Sequence, residues 1–185
     1  GLVSLMANQT KLTESLLALE QPYLFVVDIG TVSWSPRDGW MHEEQFVPSA
    51  EIQIANYGRT PATLSHIRGT IHSNERLTPE RPDMRMTNWD FHQGIVPADE
   101  TKRITFTITG IPHAGRSIDA LLKIRLIAYG GLVYLDVFGN RIESRFGFDL
   151  PDSSSRGKRV TYTAYNRRIV TKTEDRPEND DALLR

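Results

Sequence analysis

The stretch Arg103-Ile104-Thr105-Phe106-Thr107-Ile108 alternates polar and apolar residues without a break. A period of two places Ile104, Phe106 and Ile108 on one face of an extended strand and the threonines on the other. A helix would scatter the same residues around its circumference. β-Branched and aromatic side chains add a local preference for extended backbone. The pattern recurs: Ile52 and Ile54 alternate with Glu51 and Gln53, and Ile67, Gly69 and Ile71 with His66, Arg68, Thr70 and His72. Tyr23 to Ile29 is apolar on both faces apart from Asp28, which suits a central or sandwiched strand. Strict alternation predicts antiparallel sheet with one face buried and one wet. About eight short strands with turn signals between them predict an all-β fold, an immunoglobulin-like antiparallel β-sandwich. A closed barrel has similar spacing.

Composition narrows the function classes. The 185 residues suffice for one domain with appendages. Lys and Arg number 22 against 23 Asp and Glu, which excludes nucleic-acid binding by bulk charge. With Cys at 0, disulfides, thiolate zinc sites and cysteine nucleophiles are excluded together. No apolar run reaches the ~18 residues that a bilayer-spanning helix needs.

The two ends read differently from the middle. Leu2, Leu5, Leu12, Leu16 and Leu19 follow alternating three- and four-residue steps, with Gln9 in the remaining slot. This predicts an amphipathic helix over residues 1–21, either lying on the body or forming a short coiled-coil stalk, closed by Pro22. The β-sandwich domain is expected over 22–166. Arg167, Arg168 and Lys172 followed by Glu174, Asp175, Glu178, Asp180 and Asp181 predict a polar, solvated C-terminal tail over 167–185.

Within the domain, residues 121–148 read as a three-stranded meander. Gly130-Gly131 and Gly139-Asn140 are read as two-residue hairpin loops. Together they predict Leu126 opposite Leu135 and Val137 opposite Ile142, with Leu126, Leu135, Val137 and Phe146 buried together with Ile104, Phe106 and Ile108. The opposite face would then set Arg125 beside Asp136 in an exposed ladder, with Glu143 next along the row.

Three local elements stand in order: Gln21-Pro22-Tyr23-Leu24-Phe25-Val26 after the helix, Asn56-Tyr57-Gly58-Arg59-Thr60-Pro61-Ala62 between strands, and Tyr134-Leu135-Asp136-Val137-Phe138-Gly139-Asn140-Arg141. The ordered set resembles a group of uncharacterised bacterial membrane-anchored proteins. In these, a spanning helix is followed by a short helix, an R-A-Y-V-like strand start, an N-x-G-x-T-P-A turn and a late Y-x-D-x-F-G-N element. The resemblance covers most of residues 14–149. It implies an immunoglobulin-like sandwich held at a membrane, with a spanning segment upstream of Gly1. The residues also have a local reading: Asn56 can bond the backbone of the turn, Gly58 can take positive φ, and Pro61 keeps Thr60 extended.

His42, His66, His72, His92 and His113 include no pair at helical metal-binding spacing, so no metal or cofactor is expected. Asp90 and His92 flank Phe91, a conceivable dyad for a hydrolase, with no nucleophile elbow to complete it. Trp34, Trp40 and Trp89 read as loop tryptophans, suited to a ligand or to plugging the open ends of a sandwich. The sequence thus leads to a non-enzymatic protein-interaction or scaffold domain near a bacterial membrane. Its partner is a protein or a second copy through the N-terminal helix, and no nucleic acid. The alternatives are a carbohydrate or small-ligand module using Trp34, Trp40, Trp89 and Arg59, and a hydrolase.

Overall fold

The structure is a computed structural model. It describes residues 6, 9, 13, 20–38, 44–73, 88–159 and 167–171, and of residues 38 and 88–93 the backbone only. Two antiparallel sheets pack face to face. In the first, the long strand β3 (Glu44–Asn56) is flanked on one side by β1 (Leu24–Ile29) and β2 (Ser33–Asp38). On its other side lie β6 (Ile104–Thr109) and β7 (His113–Ala114). Each flank is thus one broken strand. The second sheet runs β5 (Asn88–Val96), β4 (Ala62–Ser73), β8 (Leu126–Leu135), β9 (Arg141–Leu150), with β10 (Lys158–Arg159) and β11 (Arg168–Thr171) along the far side of β9. A single helical turn, Ile118–Leu121, precedes β8, capped by the Ser117 hydroxyl. Met6, Gln9 and Thr13 are helical, and the Thr13 hydroxyl donates to the Gln9 carbonyl. The leucines of the expected N-terminal helix lie outside the described residues.

The core between the sheets is built from the alternating faces. It includes Leu24, Val26, Ile52, Ile54, Leu64, Ile67, Ile71, Ile108, Leu126, Leu132, Tyr134, Ile142, Phe146 and Leu150. The alternation read in β3, β4 and β6 therefore points the way the sequence predicts, with Ile104 and Phe106 half-buried at the rim.

The meander does not form as expected. Gly130 and Gly131 lie in the middle of β8, which runs unbroken from Leu126 to Leu135. Neither has positive φ, whereas Gly139 does, at 81°. With no turn at 130–131, residues after it keep the parity of those before it. Leu132 and Tyr134 therefore join Leu126 in the core, and Leu135 goes to the outer face. The true hairpin is a three-residue loop, Val137-Phe138-Gly139: the Gly139 N–H donates to the Asp136 carbonyl and the Asp136 N–H to the Asn140 carbonyl. A tight turn closed by a left-handed glycine is a common hairpin of this length. Ile142 consequently pairs with Tyr134 rather than Val137, and Val137 is exposed. Leu126 pairs with Leu150 and Ser73, not with Leu135.

Close packing explains the glycine pair. Gly69 pairs with Gly130, and Gly130 with Phe146. A Cβ on Gly130 would stand 2.0 Å from the Arg68 carbonyl oxygen, 2.7 Å from the Gly69 Cα and 2.8 Å from the Phe146 ring tip. A Cβ on Gly69 would stand 2.7 Å from Ile108 of the opposite sheet. The two glycines are a floor on which Phe146 and Ile108 rest. Another expectation is also revised: residues 168–171, placed by sequence in the polar tail, form β11 against β9.

Gly130→Ala should cost roughly 3 kcal/mol or more, because backbone rather than a movable side chain blocks the new methyl. Gly131→Ala, whose Cβ would meet nothing closer than the Arg68 Nε at 3.4 Å, should cost about 1 kcal/mol or less. Urea midpoints of the two variants test this, and similar losses at both positions would refute the floor.

Candidate functional site

The three elements singled out in the sequence meet at one end of the sandwich. Asn56 closes β3 with a buried amide. Its Oδ1 accepts from the Tyr23 N–H at 3.0 Å and the Gly58 N–H at 2.9 Å. Its Nδ2 donates to the carbonyls of Thr60 at 2.9 Å and Val96 at 3.4 Å. The Thr60 hydroxyl donates to the Glu20 carbonyl at 2.6 Å. Gly58 is packed so closely under Gln21 to Tyr23 that a Cβ would stand 2.3 Å from the Gln21 oxygen. Tyr134 comes from the third element: its hydroxyl accepts from the Leu24 N–H at 3.4 Å. Burial raises the Tyr134 phenol above its ordinary range, against the pull of Arg168. Arg168, in β11, donates to the Gln21 side chain at 3.0 Å, and its guanidinium stands 4.3 Å over the Tyr23 ring. Residues 20–24 are thus clamped from the β3–β4 turn, the core and β11 at once.

The same end carries a preorganised apolar tip. Asp136 is 6% exposed. Its Oδ1 accepts from the backbone N–H groups of Phe138 and Asn140, and its Oδ2 from the Asn140 side chain at 2.8 Å. The expected Arg125–Asp136 ladder is therefore absent. Arg125 instead pairs with Asp149 across the end of β9, and Asp136 serves the turn. What Asp136 holds out is Val137 and Phe138, 54% and 51% exposed. A D-x-x-G turn with two apolar residues inside it was the available sequence signal.

A second cluster lies on the outer face of the second sheet. Sequence alternation predicts His66, Thr70 and His72 of β4 on a wet face, but all three are buried, with Tyr129 and Val133 of β8 beside them. Arg68 reaches across Gly131, whose missing side chain leaves room, to Glu143 of β9 at 2.5 Å. Arg145 donates to the same Glu143 oxygen at 2.8 Å. Burial alone would push the Glu143 carboxyl up. The Arg145 hydrogen bond and the charges of Arg68 and Arg145 outweigh it and hold the group below its ordinary range. His66, bonded at Nδ1 to the Ser65 hydroxyl at 3.1 Å, is lowered from 6.5 to about 4 by burial and by Arg141 and Arg68, against Glu143. His72 stacks on Tyr129 at 5.8 Å. Among the described residues no group of three or more His, Cys, Asp or Glu is placed to hold a metal ion.

The sequence-predicted binding residues do not form one described site. Trp34 is half-buried against the core; its indole N–H donates to the Ser153 hydroxyl at 2.8 Å and its ring meets His113 edge-on. Arg59 is exposed in the β3–β4 turn, at the opposite end of β3. Trp40 lies outside the described residues. Trp89 pairs by backbone with Arg68, and Asp90 with Ile67; the side chains of Trp89, Asp90 and His92 are outside what is described.

No protein-family model and no curated protein matches the sequence. Among solved structures, the chain is similar to the X-ray structure of Northeast Structural Genomics Consortium target SoR45. The identity is 13%, over 71% of this chain and 86% of that one, with a TM-score of 0.42. At that level neither fold type nor activity transfers.

Two outcomes follow from this geometry. Asn56→Ala should cost about 2–4 kcal/mol, since it leaves buried backbone groups of three segments unpaired. A denaturation midpoint within error of the parent would show that the clamp holds nothing. For His66 the folded value lies below the unfolded one. Stability is therefore full above pH 6.5 and falls as the pH drops toward about 4, where the native state also takes the proton. The loss is up to about 3 kcal/mol. His66→Gln should flatten a plot of midpoint against pH across that window; an unaltered slope would assign the acid sensitivity elsewhere.

Proposed function

We propose that the chain is a non-enzymatic interaction or scaffold domain, an immunoglobulin-like sandwich held near a membrane through a helical N-terminal segment. The observation that carries this is the convergence of the three elements on residues 20–24. Asn56, Thr60, Tyr134 and Arg168 fix residues 20–24, the entry to β1, to the sandwich. A flexible linker would need none of these bonds. The strand order supports the immunoglobulin-like reading. β1/β2–β3–β6/β7 faces β5–β4–β8–β9, and the β3–β4, β5–β6 and β7–β8 connections cross between sheets. Among the described residues no helix is long and apolar enough to cross a membrane, so the anchor in this reading lies outside them. Val137 and Phe138, held rigidly at the clamped end, are the surface offered to a partner.

Cells making the full gene product should retain this chain in the membrane pellet after alkaline carbonate washing. Recovery in the supernatant would remove the tether from the proposal. Val137→Ser with Phe138→Ser should leave the urea midpoint within about 0.5 kcal/mol, because both side chains are exposed. Chemical cross-linking to membrane proteins should nevertheless fall. Unchanged cross-linking would remove the tip as the contact.

A further inference from the structure

Exposed apolar side chains are not spread evenly over the sandwich. Strand register defines the clamped end: Leu24 lies beside Asn56, Ile54 beside Ile104, Ala62 beside Val96, and Leu135 beside both Thr63 and Arg141. β11 also ends there, with Thr171 beside Arg141. Among the described residues nine large apolar side chains are exposed, and six of them stand at this end: Tyr23, Tyr57, Ile95, Val137, Phe138 and Val170. Ile95 is 73% exposed and Tyr57 50%. The opposite end has Ile118 and Leu122, in the turn before β8. A concentration of apolar surface in contact with water marks a contact face.

Cations stand with it. Arg59 is exposed in the β3–β4 turn and Arg103 at the start of β6, and Arg141 opens β9 half-buried. The Arg168 guanidinium lies over the Tyr23 ring. Among the described carboxylates at this end, Asp136 is turned into its own hairpin, and Asp99 accepts from Thr101 and faces Lys102 at 3.8 Å. Glu20 and Glu100 remain exposed. The balance at this end is therefore positive.

The form of the surface narrows what it meets. The six side chains project from separate elements: the entry to β1, the β3–β4 turn, the end of β5, the β8–β9 hairpin and β11. A fluid surface accommodates such an uneven set without a matching relief. Tyrosine and arginine carry a polar head on an apolar body and settle where hydrocarbon gives way to headgroups. Arginine also pairs with phosphate through a planar fork of donors.

We infer that the clamped end is a lipid-contact face, which sets Val137, Phe138 and Ile95 into the surface of a bilayer, with Tyr23 and Tyr57 at headgroup level and the arginines on anionic phosphates. This rests on the membrane-held reading and makes the bilayer itself the partner of the tip. Residues 20–24 enter the domain at this same end, so a tether preceding them turns this end, and not the other, toward the lipid.

The chain as it stands should sediment with vesicles of phosphatidylcholine and phosphatidylglycerol, and less with phosphatidylcholine alone. Ile95→Ser with Phe138→Ser should weaken that binding about tenfold or more. Ile118→Ser with Leu122→Ser, an equal apolar loss at the opposite end, should leave it unchanged. Arg59→Gln with Arg103→Gln should cost about tenfold on the anionic vesicles only. The chain has no cysteine, so a single one can carry a polarity-sensitive dye. A dye on Phe138→Cys should shift to the blue when vesicles are added, and one on Ile118→Cys should not. This second readout needs no loss of binding and so does not depend on how the double variants fold. A chain that stays in the supernatant, equal losses from the two serine pairs, or a dye at 138 that senses no change overturns the proposal. Absent vesicle binding combined with retention in the carbonate-washed pellet would remove the lipid face and leave the tether. Vesicle binding by a chain that carbonate releases would keep the lipid face and remove the tether. Cross-linking to membrane proteins without vesicle binding would give the end to a protein instead and overturn the lipid assignment.

Discussion

The close approach of β4 and β8 at Gly69 and Gly130 sets what happens on both faces of the second sheet. On the inner face the missing side chains admit the Phe146 ring and the Ile108 methyl, which joins the sheets across the core. On the outer face Gly131 leaves the passage through which Arg68 crosses β8 to Glu143. One dipeptide therefore serves an apolar contact on one side and a buried ion pair on the other. Interiors are packed densely enough that the inner arrangement does not survive an added methyl at Gly69 or Gly130 without movement elsewhere, whereas a methyl at Gly131 would meet only ordinary contacts.

The outer cluster is held together by electrostatics that depend on burial. Glu143 accepts from Arg68 and Arg145 through one oxygen, and the pairing offsets the cost of removing a carboxylate from water. His66 sits among Arg68, Arg141 and Glu143 and resists protonation. A buried charge cluster of this kind specifies arrangement more than it adds net stability. It aligns β4, β8 and β9 in one register on the outer side, as the glycine floor does on the inner side.

At the clamped end the same economy appears in neutral form. One amide, Asn56, bonds backbone groups from the N-terminal segment, its own turn and the end of β5. Asp136 does the equivalent for the β8–β9 hairpin. Both residues satisfy backbone groups that a sandwich end would otherwise leave unpaired in a region shielded from water. The motifs that suggested a family are, atom by atom, the groups that attach the entering chain and shape the adjacent tip.

Sequence alone determined the all-β class and the inward faces of β3, β4 and β6, because alternation reports burial on one side directly. It also singled out Asn56 and Thr60, since turn chemistry is local; Gly58, expected there for positive φ, is instead required for space under Gln21 to Tyr23. Tertiary structure decided the rest. Leu126 to Leu135 is buried on both faces, so it lacks alternation, and a glycine pair inside it has the same local signature as a hairpin loop. Only the approach of Gly69 and Phe146 shows that those glycines are needed for space rather than for positive φ. The partners of Arg125, Asp136 and Glu143 followed from that register, which an error of one turn inverts. The burial of His66 and Thr70 was likewise invisible, because a strand's polar alternation records which residues are hydrophilic and not which of them the folded chain removes from water.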